Sequence, residues 1–232
     1  MPVKFFCSVC IIMIACSAVN AAGMVTESAD IDGIRYTVIS DRKGSVKETE
    51  ILHPVFSAAA EQIYAEYNVK RPPFFDVTII CGAGLFKTYT GCGEHTAGLF
   101  IAERNVFVFQ RPSALNKKGI LDNTVRHELL HSAVYNAMSD QMRTLHPRGD
   151  ESINEAFCTA LYPAGSYNPA SGAKAIAECG DEQKIKKYLA DAYRSENKQI
   201  INKAADAAYF WGLQLIKKHG KRQTFNKAAM LE

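Results

Sequence analysis

The spacing of apolar and polar residues changes character along the chain. Alternating β-branched and aromatic residues in 34–40 (IRYTVIS) and 76–81 (DVTIIC) predict two strands. Two more strand-like runs, 98–102 and 105–110, lie two polar residues apart and indicate a hairpin. Between the first two strands, apolar residues recur at helical spacing over 49–67, which predicts a helix.

After residue 112 the pattern becomes helical. Helices are predicted where apolar residues recur every three to four positions between caps or prolines. These predicted helices span 121–138, 151–162, 181–193 and 197–219. Gly220 is expected to cap the last helix, and the segment after Pro163 is predicted as a loop. The Gly-rich stretch 82–98 is also predicted as a loop, one that does not lead directly into a helix.

These elements predict an α+β fold. A small mixed β-sheet is expected in a β-rich front half, 22–112, followed by a helical half, 113–232. The chain has 232 residues, of which 47% are apolar, so residues 22–232 are expected to form a single domain with a packed core.

Residues 1–21 are expected to be a secretory signal peptide. One lysine precedes an apolar run that is shorter than the ~20 residues needed to span a bilayer. Val19-Asn20-Ala21 then supplies small residues at the spacing of a cleavage site. An uncleaved anchor, or a lipoprotein signal with the lipid on Cys16, remains an alternative. The protein is therefore expected to be periplasmic or extracellular, and to meet a membrane only if it is lipidated.

Four cysteines follow the predicted signal peptide, and four cysteines allow three pairings. Pairing of nearest neighbours, Cys81–Cys92 and Cys158–Cys179, closes two short loops and is preferred. An oxidising compartment would keep such disulfides formed. Because this part of the chain has no CxxC pair, a structural zinc site built from cysteines is not expected.

Charge adds little to the picture. The formal net charge is only +3 and the basic residues are scattered, so nucleic acid is not an expected partner. No feature of the sequence indicates the oligomeric state.

The segment 125-VRHELLHSAVYN-136 carries the strongest chemical signal. Residues four apart lie on one face of a helix, so His127 and His131 can bind one zinc ion together. Glu128 is rotated about 100° from His127. It can therefore reach the open side of the metal without being a ligand, as a general base requires. The alternative is that these residues are satisfied polar groups on a buried helix.

A catalytic zinc site of this kind needs a third protein ligand, which is expected C-terminal to His131. A metzincin site would need glycine and histidine at positions 134 and 137, where the chain has Val134 and Ala137. Glu155, on the next predicted helix, is the preferred ligand, because a carboxylate that points into the packing between two helices needs a partner. Glu151, one turn earlier, is the rival candidate.

HELLH followed by NEAFCTA resembles the gluzincin metallopeptidases, in particular small bacterial members of that group. The resemblance runs from about residue 98 to 163, and the segment 208–229 is weakly similar to the terminal helices of the group. It implies a single catalytic zinc ion with Glu128 as the base. The implied metal ligands are His127, His131 and Glu155.

The resemblance also implies that the strand 98–102 binds extended substrate by adding a strand. Two departures stand out. The glycine that usually follows the third ligand is Ala156, and Thr159 stands where an aspartate often orients a histidine. Thr159, Asn154 or Asp150 could take over that role.

Gluzincins usually supply a Tyr, His or Arg to hold the developing oxyanion. The first candidates for this catalytic role are Tyr162, two turns beyond Glu155, and His146 in the connecting loop. Further candidates are Tyr135, Tyr167 and His95. A group of aromatic residues is expected to pack between helices instead: Tyr193, Tyr209, Phe210 and Trp211.

The expected function is that of a secreted zinc metallopeptidase, of the metalloendopeptidase type, acting on a peptide or protein substrate. A zinc-activated water would attack the peptide bond, with Glu128 as general base. One alternative is an inactive zincin-fold interaction module in the periplasm or cell envelope. Another is a disulfide-bonded structural protein in which the motif is incidental.

Overall fold

A computed structural model describes residues 24–41, 43–92, 96–146, 149–193, 195 and 197–231. The predicted signal peptide, including Cys16, lies outside the described residues, and so does the candidate His95. Of the helices that are described, none combines the length and the apolar character needed to cross a membrane.

The described part of the chain contains one five-stranded mixed sheet with the order β1-β2-β3-β5-β4. Its strands are β1 Val25–Ile31, β2 Ile34–Ser40, β3 Phe75–Cys81, β4 Gly98–Ile101 and β5 Val106–Gln110. The three central strands are parallel, and the edge strands β1 and β4 are antiparallel to their neighbours. The hairpin predicted from 98–102 and 105–110 is therefore confirmed as β4–β5.

Nine α-helices are described over the same residues. They are α1 Glu48–Glu66, α2 Ala83–Thr90, α3 Pro112–Lys117, α4 Leu121–Ala137, α5 Asp140–Leu145, α6 Glu151–Leu161, α7 Pro169–Cys179, α8 Glu182–Tyr193 and α9 Lys198–Ala228. All described strands precede residue 113 and the described elements after it are helical, so the α+β class is confirmed in this coarse form.

Helix α2 corrects the prediction that the Gly-rich stretch does not lead directly into a helix. The helix begins at Ala83, immediately after β3 and Gly82. Its apolar residues Leu85, Phe86 and Tyr89 share one side and pack against the sheet. This burial outweighs the low helix propensity of the glycines.

One further prediction was wrong in the helical half. The segment after Pro163 contains α7, which is capped where the Asn168 side chain accepts hydrogen bonds from two backbone N–H groups. The predicted cap is confirmed: Gly220 leaves helical geometry, with φ of 78°, at the end of the first part of α9, and a second helical part then continues to Ala228.

The sheet separates two apolar layers. On one face, Phe56 of α1 packs edge to face against Phe75 and Phe107. Helix α4 joins this layer, where Tyr64 of α1 and Ser132 of α4 form a buried hydrogen bond of 2.9 Å. The opposite face is covered by α2, and its buried residues are Ile80, Phe86, Ile101 and Val108.

The structure does not form the expected disulfides Cys81–Cys92 and Cys158–Cys179. The layers explain the first case: Cys81 belongs to the layer of α1, whereas Cys92 packs in the layer of α2. Cys158 does not pair with Cys179 because α6 directs Cys158 into the core beside His131.

Candidate metal centre and active-site cavity

Helices α4 and α6 bring the three predicted ligands together. His127 and His131 lie one turn apart on α4, and their Nε2 atoms are 3.1 Å apart. Glu155 of α6 reaches both rings. Its Oε2 lies 3.3 Å from Nε2 of His131, and its Oε1 lies 3.7 Å from Nε2 of His127.

These separations can be compared with those around a metal ion. Nitrogen and oxygen ligands lie about 2.0–2.1 Å from zinc, so two ligands at a tetrahedral angle lie roughly 3.3–3.4 Å apart. The observed separations of 3.1, 3.3 and 3.7 Å bracket that value. The group formed by His127, His131 and Glu155 could therefore hold a metal ion. The rival Glu151 is not part of it and lies along the cavity wall.

The three side chains are also coupled electrostatically. Burial opposes a positive charge on His127, but the hydrogen bond and negative charge of Glu155 outweigh it and raise the His127 pKa to about 9. Burial likewise opposes the charge of Glu155, and the two histidines overcome it and hold its pKa well below the usual value. Without a metal, the negative charge of Glu155 therefore stabilises positive charge on His127, and the histidines stabilise the ionised carboxylate.

Two neighbours hold the ligands in place. Nδ1 of His131 lies 3.0 Å from the side-chain oxygen of Asn154, so an N–H at that atom donates to the amide. Thr159, which stands where the resemblance to gluzincins led us to expect an aspartate, donates from its hydroxyl to Oε1 of Glu155 over 3.1 Å. Asn154 therefore orients a histidine, and Thr159 instead orients the carboxylate.

Asp150 and Nδ1 of His127 take no part in the hydrogen bonds that hold the ligands. Asp150 does not touch a ligand: it caps α6 at the N–H of Ile153 and pairs with Lys186 over 2.7 Å. Nδ1 of His127 is buried and has no hydrogen-bond partner among the described residues. The Tyr162 carbonyl does favour the charged form of His127. It falls short of a hydrogen bond of regular geometry, so this ring is held less firmly than that of His131.

Glu128 points from α4 towards the edge strand β4. Its Oε2 accepts a hydrogen bond of 2.8 Å from the backbone N–H of Phe100, and the residue is only 7% exposed. A carboxylate has further lone pairs, so one oxygen can bind the strand while the other accepts a proton. The strand thus fixes the orientation of the predicted base.

The outer edge of β4 has no partner strand in the described sheet. The N–H of Gln110 in β5 donates to the carbonyl of Ala97, which sets the alternation along β4. Residues two apart in a strand turn their backbone groups to the same edge. The backbone groups of Gly98 and Phe100 therefore face outwards, towards the cavity side where Glu128 lies.

A cavity of about 420 Å³ opens between β4 and the helices. Two tyrosines line it: Tyr167, which stacks on Tyr209 with ring centroids 5.1 Å apart, and Tyr193 at the end of α8. Burial, and then the charge of Glu155, raise the pKa of Tyr167 to about 12. Tyr193 had been expected to pack between helices. Tyr193 lies one helical turn after the buried Leu189, so apolar spacing alone predicts packing and gives no signal of its place in the cavity.

Tyr193 is 37% exposed, yet its phenol is set among protein atoms. This desolvation, followed by the charge of Glu155, raises the Tyr193 pKa well above its usual value. Both tyrosines therefore remain neutral hydrogen-bond donors at neutral pH.

The other oxyanion candidates that are described, Tyr162, His146 and Tyr135, do not line the cavity. The ring of Tyr162 lies beside Arg126, with the guanidinium 5.9 Å from the ring centroid. His146 is exposed at the end of α5. Tyr135 packs against Phe100 with ring centroids 6.0 Å apart. Of the described candidates, only Tyr167 lines the cavity.

Neither a protein-family model nor a curated protein matches this chain.

Proposed function

We propose that the protein is a zinc-dependent metalloendopeptidase of the gluzincin type. One observation carries the proposal: the imidazoles of His127 and His131 and the carboxylate of Glu155, 24 residues after His131, each offer a ligand atom within 4.8 Å of the others. Three protein ligands leave a fourth position open, which is typical of catalytic rather than structural zinc sites. Imidazole and carboxylate ligands suit zinc well.

The residues around the site fit zinc for a second reason. Without a metal, the charges of His127 and Glu155 are buried, and each is compensated mainly by the other, with His131 also stabilising the carboxylate. A divalent cation would satisfy the carboxylate and both imidazoles at once. When bound, zinc supplies Lewis-acid polarisation of a carbonyl and activation of a water molecule.

Glu128 supplies the proton transfers. Its carboxylate would accept the proton of the attacking water and pass it to the leaving amine. The backbone N–H of Phe100 holds it ready for both steps. Tyr167 and Tyr193 stand across the cavity and, as neutral phenols, are the donors best placed to stabilise the developing oxyanion.

The cavity also limits the substrate. The outward backbone groups of Gly98 and Phe100 can pair with an extended peptide. Because Glu128 occupies the N–H of Phe100, pairing would use the two groups of Gly98 and the carbonyl of Phe100. The described lining contains three glutamates and neither lysine nor arginine, so acidic peptides are disfavoured.

Export is part of this proposal and rests on residues 1–21 alone. The cysteines give no support for an oxidising compartment, since the two expected disulfides are not formed. The mass of the mature protein after expression with its full leader would locate the cleavage site, and cleavage after Ala21 is expected.

The test combines a metal assay with a peptide-library digest. The wild-type protein should bind one equivalent of zinc and cleave peptides, and Glu128→Gln should keep the zinc and lose cleavage by at least about 10³-fold. Glu61→Gln, an exposed change on α1, is the matched control and should keep both. Unchanged turnover in Glu128→Gln would refute the mechanism.

A second candidate is a zinc-binding interaction module without turnover. It is favoured by Nδ1 of His127, which lacks an acceptor among the described residues where an orienting carboxylate is common. One equivalent of zinc with no cleavage of any library peptide would select this function. Absence of zinc binding would exclude both.

A further inference from the structure

A thiol lies directly behind the metal centre. Cys158 is fully buried on α6, four residues after Asn154. Its Sγ lies 3.4 Å from the side-chain oxygen of Asn154 and 3.5 Å from Nδ1 of His131. Both distances are within the range of hydrogen bonds to sulfur, so the three groups form a closed triangle behind the ring.

We propose that Cys158 is a positioning residue for the metal centre. Its thiol donates to the amide oxygen of Asn154, which keeps that oxygen turned towards His131. The inference rests on the proposed function, since it assigns Cys158 a role in holding a ligand of the proposed zinc site.

The reason lies in the tautomer of His131. A neutral imidazole that binds metal through Nε2 must carry its proton on Nδ1, and this N–H needs an acceptor. The oxygen of Asn154 is that acceptor. If the amide turned over, its NH₂ group would face Nδ1 and favour the tautomer with the proton on Nε2, which cannot bind metal.

The thiol decides between these two amide orientations. With the oxygen towards His131, the S–H group of Cys158 faces an acceptor. With the amide turned over, it faces an N–H donor, and sulfur is only a weak acceptor.

The test measures metal affinity rather than activity. Zinc dissociation constants would be obtained by competition with a chromophoric chelator, and the geometry would be followed by the visible spectrum of the cobalt-substituted protein. Cys158→Ala should weaken zinc binding about 10-fold, at the lower end of the range for outer-shell groups. Cys158→Ser keeps a donor and should stay within about threefold of wild type.

Cys81→Ala is the control, because it removes another buried thiol at a distance from the centre. It should lower the melting temperature as Cys158→Ala does, and leave zinc affinity and the cobalt spectrum unchanged. Equal zinc affinities for Cys158→Ala and Cys81→Ala would overturn the inference alone. A wild-type protein without zinc affinity would overturn this inference and the proposed function together.

Discussion

Gly212 is a site where one methyl group should disturb both the fold and the metal centre. It lies in α9, where that helix packs against α6. A Cβ at this position would overlap the carbonyl oxygen of Ala156 and lie 2.7 Å from Cβ of Ala160. Because Ala156 directly follows the candidate ligand Glu155, a shift of α6 at this point would also move the carboxylate of Glu155 relative to His127 and His131.

The magnitude follows from the overlap. Carbon atoms pack at about 3.5–4.0 Å, so Gly212→Ala must move the two helices apart by about 1 Å. A gap of this size forfeits a quarter to a half of the dispersion attraction along the interface. Overpacking costs about 1–3 kcal/mol or more, against a gain of up to about 1 kcal/mol in helix propensity. We expect a net loss of about 2 kcal/mol, or roughly 4–8 °C in melting temperature for a domain of this size.

The assay is thermal unfolding by circular dichroism, with zinc affinity measured on the same samples. Gly84→Ala is the matched control, since Gly84 is also helical but its added Cβ would meet nothing within 4 Å. It should be neutral or stabilising by up to about 1 kcal/mol. If Gly212→Ala melts at or above the wild-type temperature and binds zinc as well, the proposed packing of α9 against α6 is refuted.

Three further outcomes are expected. Zinc at 100 times its dissociation constant should stabilise the protein by about 2.7 kcal/mol, and a chelator should reverse the rise in melting temperature; no shift would contradict a preformed site. The His127 pKa of about 9 lies above the usual 6.5, so its contribution to the stability of the metal-free protein is complete below pH 6.5 and lost as the pH rises through 9. Zinc needs neutral imidazole, so its binding at pH 7.5 should release about one proton, which titration calorimetry in buffers of different ionisation enthalpy would detect or exclude. Tyr193→Phe should lower kcat by about 10-fold or more with little change in KM, whereas Tyr188→Phe on the same helix, outside the cavity, should not; equal effects would remove Tyr193 from the mechanism.

Local patterns were sufficient for much of the fold. The strand at Ile34–Ser40 and the helices that carry the motif residues follow directly from apolar spacing. Strand β1 was missed, although Asp32-Gly33 after it forms a tight turn with positive φ at both residues, a common hairpin signal. Helix α7 was missed because Pro169 suggested a loop, whereas proline is well tolerated in the first turn of a helix.

The two candidate histidine ligands were predictable because a helix fixes the geometry of residues four apart. The next helix carries two glutamates, and only the structure groups Glu155 rather than Glu151 with both histidines. The residues that hydrogen-bond to the candidate ligands were harder to predict from the sequence. Asn154 precedes Glu155 in sequence, yet its contact with His131 depends on how α6 lies against α4. Thr159 proved to hold the carboxylate and not a histidine, for the same reason.

The sequence by itself determined the coarse α+β class and the helix that carries the two histidines, because these depend on periodicity over one or two turns. Only the tertiary structure decided which groups surround the motif. The hold of Phe100 on Glu128, the place of Tyr193 in the cavity and the thiol behind His131 each join segments more than 25 residues apart. Such contacts arise from the packing of helices against the sheet, in which no local pattern specifies the partner. In the same way, the sheet itself keeps Cys81 and Cys92 in separate layers.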